Sequence, residues 1–275
     1  MNPERKLFFI GIIYSGNNDY LISTLNSITR QSSAYADFEI TLFLNQREVT
    51  QIPILKNVEL TTYIDKRELF SHLSKALNHS LAEYQTLITS GEEFFDGTLN
   101  SVNRIFNTFN DVKWLTGIQT FQTVSGFNIA LGNTSSRRWT YRLFETNLYK
   151  HSGRYIAPAS TFWKKTLWDE VYGQLHFVGQ SDFIEDLWIN FFGATSLYTC
   201  KVYFSSSKNY GRIENLSFAQ PNSNLLIEDS LIKRIKEFFF LNNIPYLRLF
   251  YRKSSRYMPV IRFDHNSQSY FLSDY

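Results

Sequence analysis

Apolar positions fall into two alternating rhythms along the first hundred residues. Three short runs, Leu7–Tyr14, Phe38–Leu44 and Val58–Tyr63, are rich in β-branched and aromatic residues and read as strands. Between the first two, LISTLNSITRQ sets Leu21, Leu25 and Ile28 on one helical face, with N-cap candidates from Asn17 to Asp19. After the third, LFSHLSKALNHSLAEY repeats Leu69, Leu73, Leu77 and Leu81 at every fourth position, a helical stripe. Tyr84–Ile88 then reads as a strand and Thr98–Phe109 as a helix. Strands read as buried, alternating with helices, predict an α/β fold with a mainly parallel sheet flanked by helices.

The second half is less regular. WLTGIQTF and FNIALG read as strands joined by the turn region Thr123–Gly126, followed by the basic, aromatic segment SSRRWTYRLF. A short helix is expected around Phe162–Val171, another at Glu185–Phe192 after Asp182, and TCKVYF as a late strand. No Pro/Gly-rich linker or internal repeat divides the chain. The expected organisation is one body, residues 1–222, with a helical appendage, residues 223–275.

In open parallel sheets, ligands bind beyond the carboxyl ends of the strands. Ser15–Asp19, Asn45–Arg47, Asp65–Arg67 and Ser90–Glu93 all follow predicted strands, so they are expected to converge on one site.

Composition narrows the class. A hydrophobic share of 43% and a charged share of 19% are those of a globular protein, and aromatics reach 17%. The longest apolar run, Leu7–Tyr14, is far short of the ~18 residues of a membrane span. Glu4 among the first basic residues, with no small-residue cleavage site after it, argues against a signal peptide. Cys200 is the sole cysteine, which excludes an intrachain disulfide and a cysteine-based zinc site. A cytoplasmic protein is expected.

The net charge of +3 is unevenly spread. Residues 233–275 hold eight Lys or Arg against Glu237, Asp264 and Asp274, a net +5, leaving −2 on the rest. Such a tail could lie peripherally on the anionic inner membrane face, or dock its apolar side on the body while its cations stay solvated. The five histidines show no ligand spacing, and G-x-S-x-G, P-loop and G-x-G-x-x-G motifs are missing. Serine hydrolase, Walker NTPase and dinucleotide oxidoreductase readings therefore fall away. Basic and aromatic residues concentrate in the tail without an RRM or OB signature, so no nucleic-acid partner is expected.

In LITSGEEFFDGTL, Glu92 and Glu93 stand at a strand tip. Carboxylates there suit a hard divalent cation, which would neutralise charge on a departing phosphate; equally, they could open a turn ahead of the next helix.

A resemblance adds to this reading. WLTGIQTFQ, RRW, STFWKKTLW, DLWINFF and LYTC occur in this order over about 80 residues. They resemble a bacterial branch of the family 2 glycosyltransferases, of GT-A fold, that carries TGI-TFQ, RRW, STFWRRSLW and ELWxRFF motifs. More weakly, SGNNDYLISTLNSITRQ resembles that family's donor loop and first helix, and SKAL a helix with an N-K-G pattern. The resemblance implies a GT-A (Rossmann-like) fold. It also implies sugar transfer from a nucleotide-diphosphate donor to a glycan or lipid-linked acceptor, with Mg²⁺ or Mn²⁺. Its nucleoside contacts would fall on Ser15, Asn17, Asn45 and Asp65, with Asn45 in place of an Asp. Its acidic metal motif reads Ser90-Gly91-Glu92 here, leaving Gly91 beside the donor and Glu92 as the metal ligand.

The branch's G-D-F-E-L-W run aligns with Ser181–Trp188, making Asp182 the expected base and Glu185 its substitute; Asp182 could equally cap the helix. Arg137, Arg138 and Arg212 would meet phosphate or acceptor, and Trp163 an acceptor sugar, with core packing as the alternative for Trp163. These departures leave a second reading open, a GT-A fold kept as a sugar- or partner-binding module.

Overall fold

The computed structural model describes residues 6–31, 38–52, 57–122, 128–130, 156–174, 183–195, 197–208 and 260–273. In chain order the strands are β1 (Phe8–Ile13), β2 (Phe38–Asn45), β3 (Glu59–Tyr63), β4 (Tyr84–Thr89), β5 (Glu92–Phe94), β6 (Trp114–Gln122), β7 (Asn128–Ala130), β8 (Thr161–Lys164), β9 (Tyr198–Ser207), β10 (Val260–Asp264) and β11 (Ser269–Ser273). The helices are α1 (Asn18–Thr29), α2 (Lys66–His79), α3 (Thr98–Thr108), α4 (Lys165–Val171) and α5 (Phe183–Ala194).

The strands form one mixed sheet in the order β11-β10-β9-β6-β8-β4-β1-β2-β3, with β5 on β9 and β7 on β6. Along this path every strand except β8 and β11 runs in the same direction. The carboxyl ends of β1, β2, β3, β4, β6 and β9 therefore share one edge.

The sheet is buried on both faces. In β1, Phe8, Ile10 and Ile12 enter a core with Leu21 and Ile28 of α1 and Leu99, Val102, Ile105 and Phe106 of α3. On the opposite face Phe9 packs with Leu69, Leu73 and Leu77 of α2, Leu167 and Trp168 of α4, and Leu187, Trp188 and Phe191 of α5. Each fully buried large apolar side chain contributes roughly 1.5–3 kcal/mol. The neighbouring strands β6 and β9 pack closely: a Cβ on Gly117 would lie 2.3 Å from the buried Phe204 ring.

Three expectations need correction. The leucine stripe of α2 stops at Leu77, because Ser80 leaves the helix with ψ 135° and its Oγ accepts the Ala82 N–H at 3.2 Å. Leu81 lies beyond that cap and is 67% exposed. The helix expected around Phe162–Val171 does not begin at Phe162. Thr161–Lys164 is a strand between β4 and β6, antiparallel to both, and α4 starts only at Lys165. Within the expected helical appendage, residues 260–273 are a β-hairpin whose β10 joins β9 at Ile261 and Cys200. Residues 223–259, most of that appendage, and its boundary with the body lie outside the described residues. No helix among the described residues is long and apolar enough to cross a membrane.

Candidate active site at the carboxyl edge

The edge is assembled by short polar segments that follow β1, β2, β3 and β4. After β1, Ser15 and Ser90 tie the first and fourth strands together. The Ser15 N–H donates to Ser90 Oγ at 2.8 Å, Ser15 Oγ donates to the Ser90 carbonyl at 3.0 Å, and the two hydroxyls lie 2.7 Å apart. Gly16 (φ 85°) and Gly91 (φ 97°) supply left-handed turns beside them, a conformation that side chains resist.

Asn17, Asn45 and Asp65 each begin a helical element. Asn17 Oδ1 accepts the N–H groups of Asp19 at 2.8 Å and Tyr20 at 3.2 Å, opening α1. Asn45 Oδ1 accepts the Arg47 N–H at 3.1 Å, opening a 3₁₀ turn over Gln46–Gln51. Asp65 Oδ1 accepts the Glu68 N–H at 2.9 Å, while Glu68 Oε2 reaches back to the Ile64 N–H at 2.7 Å. Such side chains satisfy N–H groups that a helix start leaves unpaired. One oxygen of each is used in this way. Among the described residues the rest of each polar head makes no further hydrogen bond, and Asn17 and Asn45 are half-buried while Asp65 is exposed.

Aromatic hydroxyls line the same rim. Tyr14 Oη donates to Asn18 Oδ1 at 2.9 Å. Burial, and then the Glu48 carboxylate, raises the pKa of both the Tyr14 and Tyr63 phenols, so Glu48 lies within electrostatic reach of both rings. Tyr14, Glu48 and Tyr63 were not expected from the sequence. Their signal was their place at or just past the carboxyl ends of β1, β2 and β3.

The β4–β5 turn is built differently. Glu92 is 9% exposed, and both of its carboxylate oxygens point inward. Oε2 accepts the Thr89 N–H at 2.7 Å, and Oε1 accepts the Gln119 side-chain amide at 2.6 Å. Burial raises the Glu92 carboxyl above the ordinary glutamate value, against the opposing pull of the Thr89 N–H and the Gln119 and Thr89 side chains. The Glu92 carbonyl accepts Thr24 Oγ1 at 2.7 Å, and that hydroxyl in turn accepts the Gly91 N–H at 3.0 Å. Glu93 turns outward to Lys208, Ser23 and, at 3.9 Å, Arg30.

These residues do not fit the expected cation. Mg²⁺ or Mn²⁺ needs several oxygen ligands with free lone pairs. Here Gly91 brings no side chain, and Glu92 is buried with both oxygens hydrogen-bonded inside the protein. No group of three or more His, Cys, Asp or Glu suited to a metal occurs among the described residues. Gln119, whose carbonyl oxygen is buried without a partner, was missed in the sequence because nothing local links it to Glu92.

The remaining expectations divide sharply. Trp163 is fully buried; its Nε1 donates to Gln85 Oε1 at 2.9 Å, and its ring packs edge-on to Trp188 and Phe191. It is a core residue and forms no acceptor wall. Glu185 lies in α5, but its side chain is outside the described set, as are Asp182, Arg137, Arg138 and Arg212 entirely.

The sequence matches no protein-family model and no curated protein. Its fold, however, is found among solved structures. S. aureus TarS 1-349 superposes with a TM-score of 0.53 at 11% identity, over 76% of this chain and 63% of that one. The same protein in complex with UDP-GlcNAc gives 0.52 at 10% identity, over 74% and 58%, and in complex with UDP 0.52 at 11%, over 74% and 60%. The chain thus spans less than two thirds of the length of these structures. At such identity the likeness is one of fold, and the shared architecture is the α/β GT-A fold.

Proposed function

We propose that this chain is a GT-A glycosyltransferase of the family 2 type, which takes a sugar from a nucleoside diphosphate donor. One observation carries this reading. Ser15, Asn17, Asn45, Asp65 and Ser90 gather along a single sheet edge, in a fold shared with a protein solved with UDP-GlcNAc and UDP. Amide and carboxylate groups with spare hydrogen-bonding capacity suit a base and ribose, and the glycine turns at 16 and 91 let main chain approach a diphosphate.

Transfer with inversion needs an acceptor hydroxyl, from a glycan or a lipid-linked sugar, that loses its proton as it attacks opposite the leaving diphosphate. Asp182, one residue ahead of α5 in sequence, is the candidate for that proton, with Glu185 as its substitute. The inward carboxylate of Glu92 favours a second reading, in which the fold binds a sugar nucleotide without turning it over.

Calorimetric titration with UDP-GlcNAc, UDP, GDP and dTDP tests the binding step. Micromolar affinity for one of them supports both readings, and release of nucleotide in an acceptor assay, abolished by Asp182→Asn, selects the enzyme. No heat with any nucleotide sinks both.

A further inference from the structure

The β4–β5 turn carries an inference beyond the donor site. We infer that Glu92 is an internal latch that fixes this turn against α1 and β6. On the nucleotide reading above, the edge then accepts a nucleoside diphosphate with no cation held by this carboxylate.

Three independent features of the turn agree. First, the carboxylate folds back over its own turn: Oε2 accepts the N–H of Thr89, three residues earlier, so the side chain closes the bend that leads from β4 into β5. Second, Gln119 on β6 donates to Oε1, and the backbone of residues 91 and 92 engages Thr24 of α1 through its hydroxyl. The turn is thereby fastened to a strand and a helix far away in sequence. Third, Gly91 has φ 97°, a conformation that disfavours any L side chain. A second acid at 91 would strain this bend, whereas glycine there lets Glu92 turn inward. Exposing Glu92 to a cation would break the bonds from the Thr89 N–H and Gln119 and leave a part-buried and a buried donor unpaired, which is costly.

The latch also has a use at the edge. Ser90, whose hydroxyl and carbonyl hold Ser15, lies between Thr89 and Gly91, both fastened by this network. Glu92 is thus a positioning residue for the strand-end loops and touches no substrate itself.

The test compares the full chain with Glu92→Gln and Glu92→Ala by three measurements. Glutamine keeps an oxygen for the Thr89 N–H and can offer an N–H to the Gln119 carbonyl once that amide turns over. In thermal unfolding, Glu92→Gln is expected within about 3 °C of the parent and Glu92→Ala about 6 °C or more below it. Calorimetric titration with MnCl₂ alone should give the same isotherm for the parent and Glu92→Gln. UDP should bind equally in EDTA and in Mn²⁺, with Glu92→Gln within about threefold of the parent.

Equal melting of the Ala and Gln variants overturns the latch. Mn²⁺ binding, or Mn²⁺-dependent UDP binding, that Glu92→Gln weakens tenfold or more restores the carboxylate as a metal ligand and overturns the inference. If UDP binds under neither condition, the nucleotide reading fails, while melting and the Mn²⁺ titration still decide the latch.

Discussion

The loops after β1–β3 and the turn after β4 hold similar polar side chains on the same sheet edge, yet they use them in opposite ways. Asn17, Asn45 and Asp65 each give one oxygen to a helix start and keep the rest of the head group at the surface. Glu92 commits both oxygens to hydrogen bonds inside the protein and is itself buried. The difference arises from what surrounds each group. A cap residue faces outward because the helix it starts runs away from the edge. Glu92 sits in a strand paired with β9 at Ser207, and Gln119 reaches it from β6, which pairs with the same β9. Position at a strand end therefore nominates a residue for ligand contact, and burial decides whether it can serve.

Several substitutions would sharpen or break this contrast. The largest effect is expected from Glu92→Ala, which leaves the Thr89 N–H and the Gln119 amide without acceptors and costs about 2–4 kcal/mol in denaturant unfolding. Asp65→Ala removes a cap and should cost only about 1 kcal/mol. It is expected to lower nucleotide affinity, which Glu92→Gln should leave alone. Equal losses of stability from Glu92→Ala and Asp65→Ala would erase the distinction between the two regions. Between these lies Gly91→Ala, where a φ of 97° predicts a loss of roughly 1–2 kcal/mol.

The pH dependence gives a further separation. Burial raises the Glu92 carboxyl above its unfolded value, so the folded chain binds the proton more tightly than the unfolded one. Stability attributable to this group is then full below the ordinary glutamate range and declines as pH rises through the raised value. Glu92→Gln removes that decline. The variant should gain on the parent in matched urea melts as pH rises above the ordinary glutamate range.

Much of the architecture was legible because it rests on local rules. The runs at Leu7–Tyr14 and Tyr84–Ile88 became strands to within a residue at each end, the first because a continuous apolar run fits a sheet buried on both faces. Chemistry alone narrowed the cap of α1 to Asn17–Asp19, and Asn17 holds it. Thr161–Lys164 was not: a four-residue strand with no polar alternation, leading directly into a helix, mimics that helix's first turn. Only the sheet reveals it, sending Phe162 to one core and Trp163 to the other. Leu81 kept the helical spacing of α2 but fell past a serine cap. The site followed the same division. The strand-end loops announced themselves by position, whereas the direction of the Glu92 carboxylate depends on Gln119, far along the chain, and no local pattern carries that.

The central claim is that a nucleoside diphosphate rests on the carboxyl ends of β1–β4. Amide chemical-shift mapping during a UDP titration in EDTA tests it most directly. The account predicts shifts clustered at residues 15–18, 45–48, 65–68 and 89–91, with the β10–β11 hairpin unmoved. Shifts confined to that hairpin, or none at saturating UDP, would contradict it.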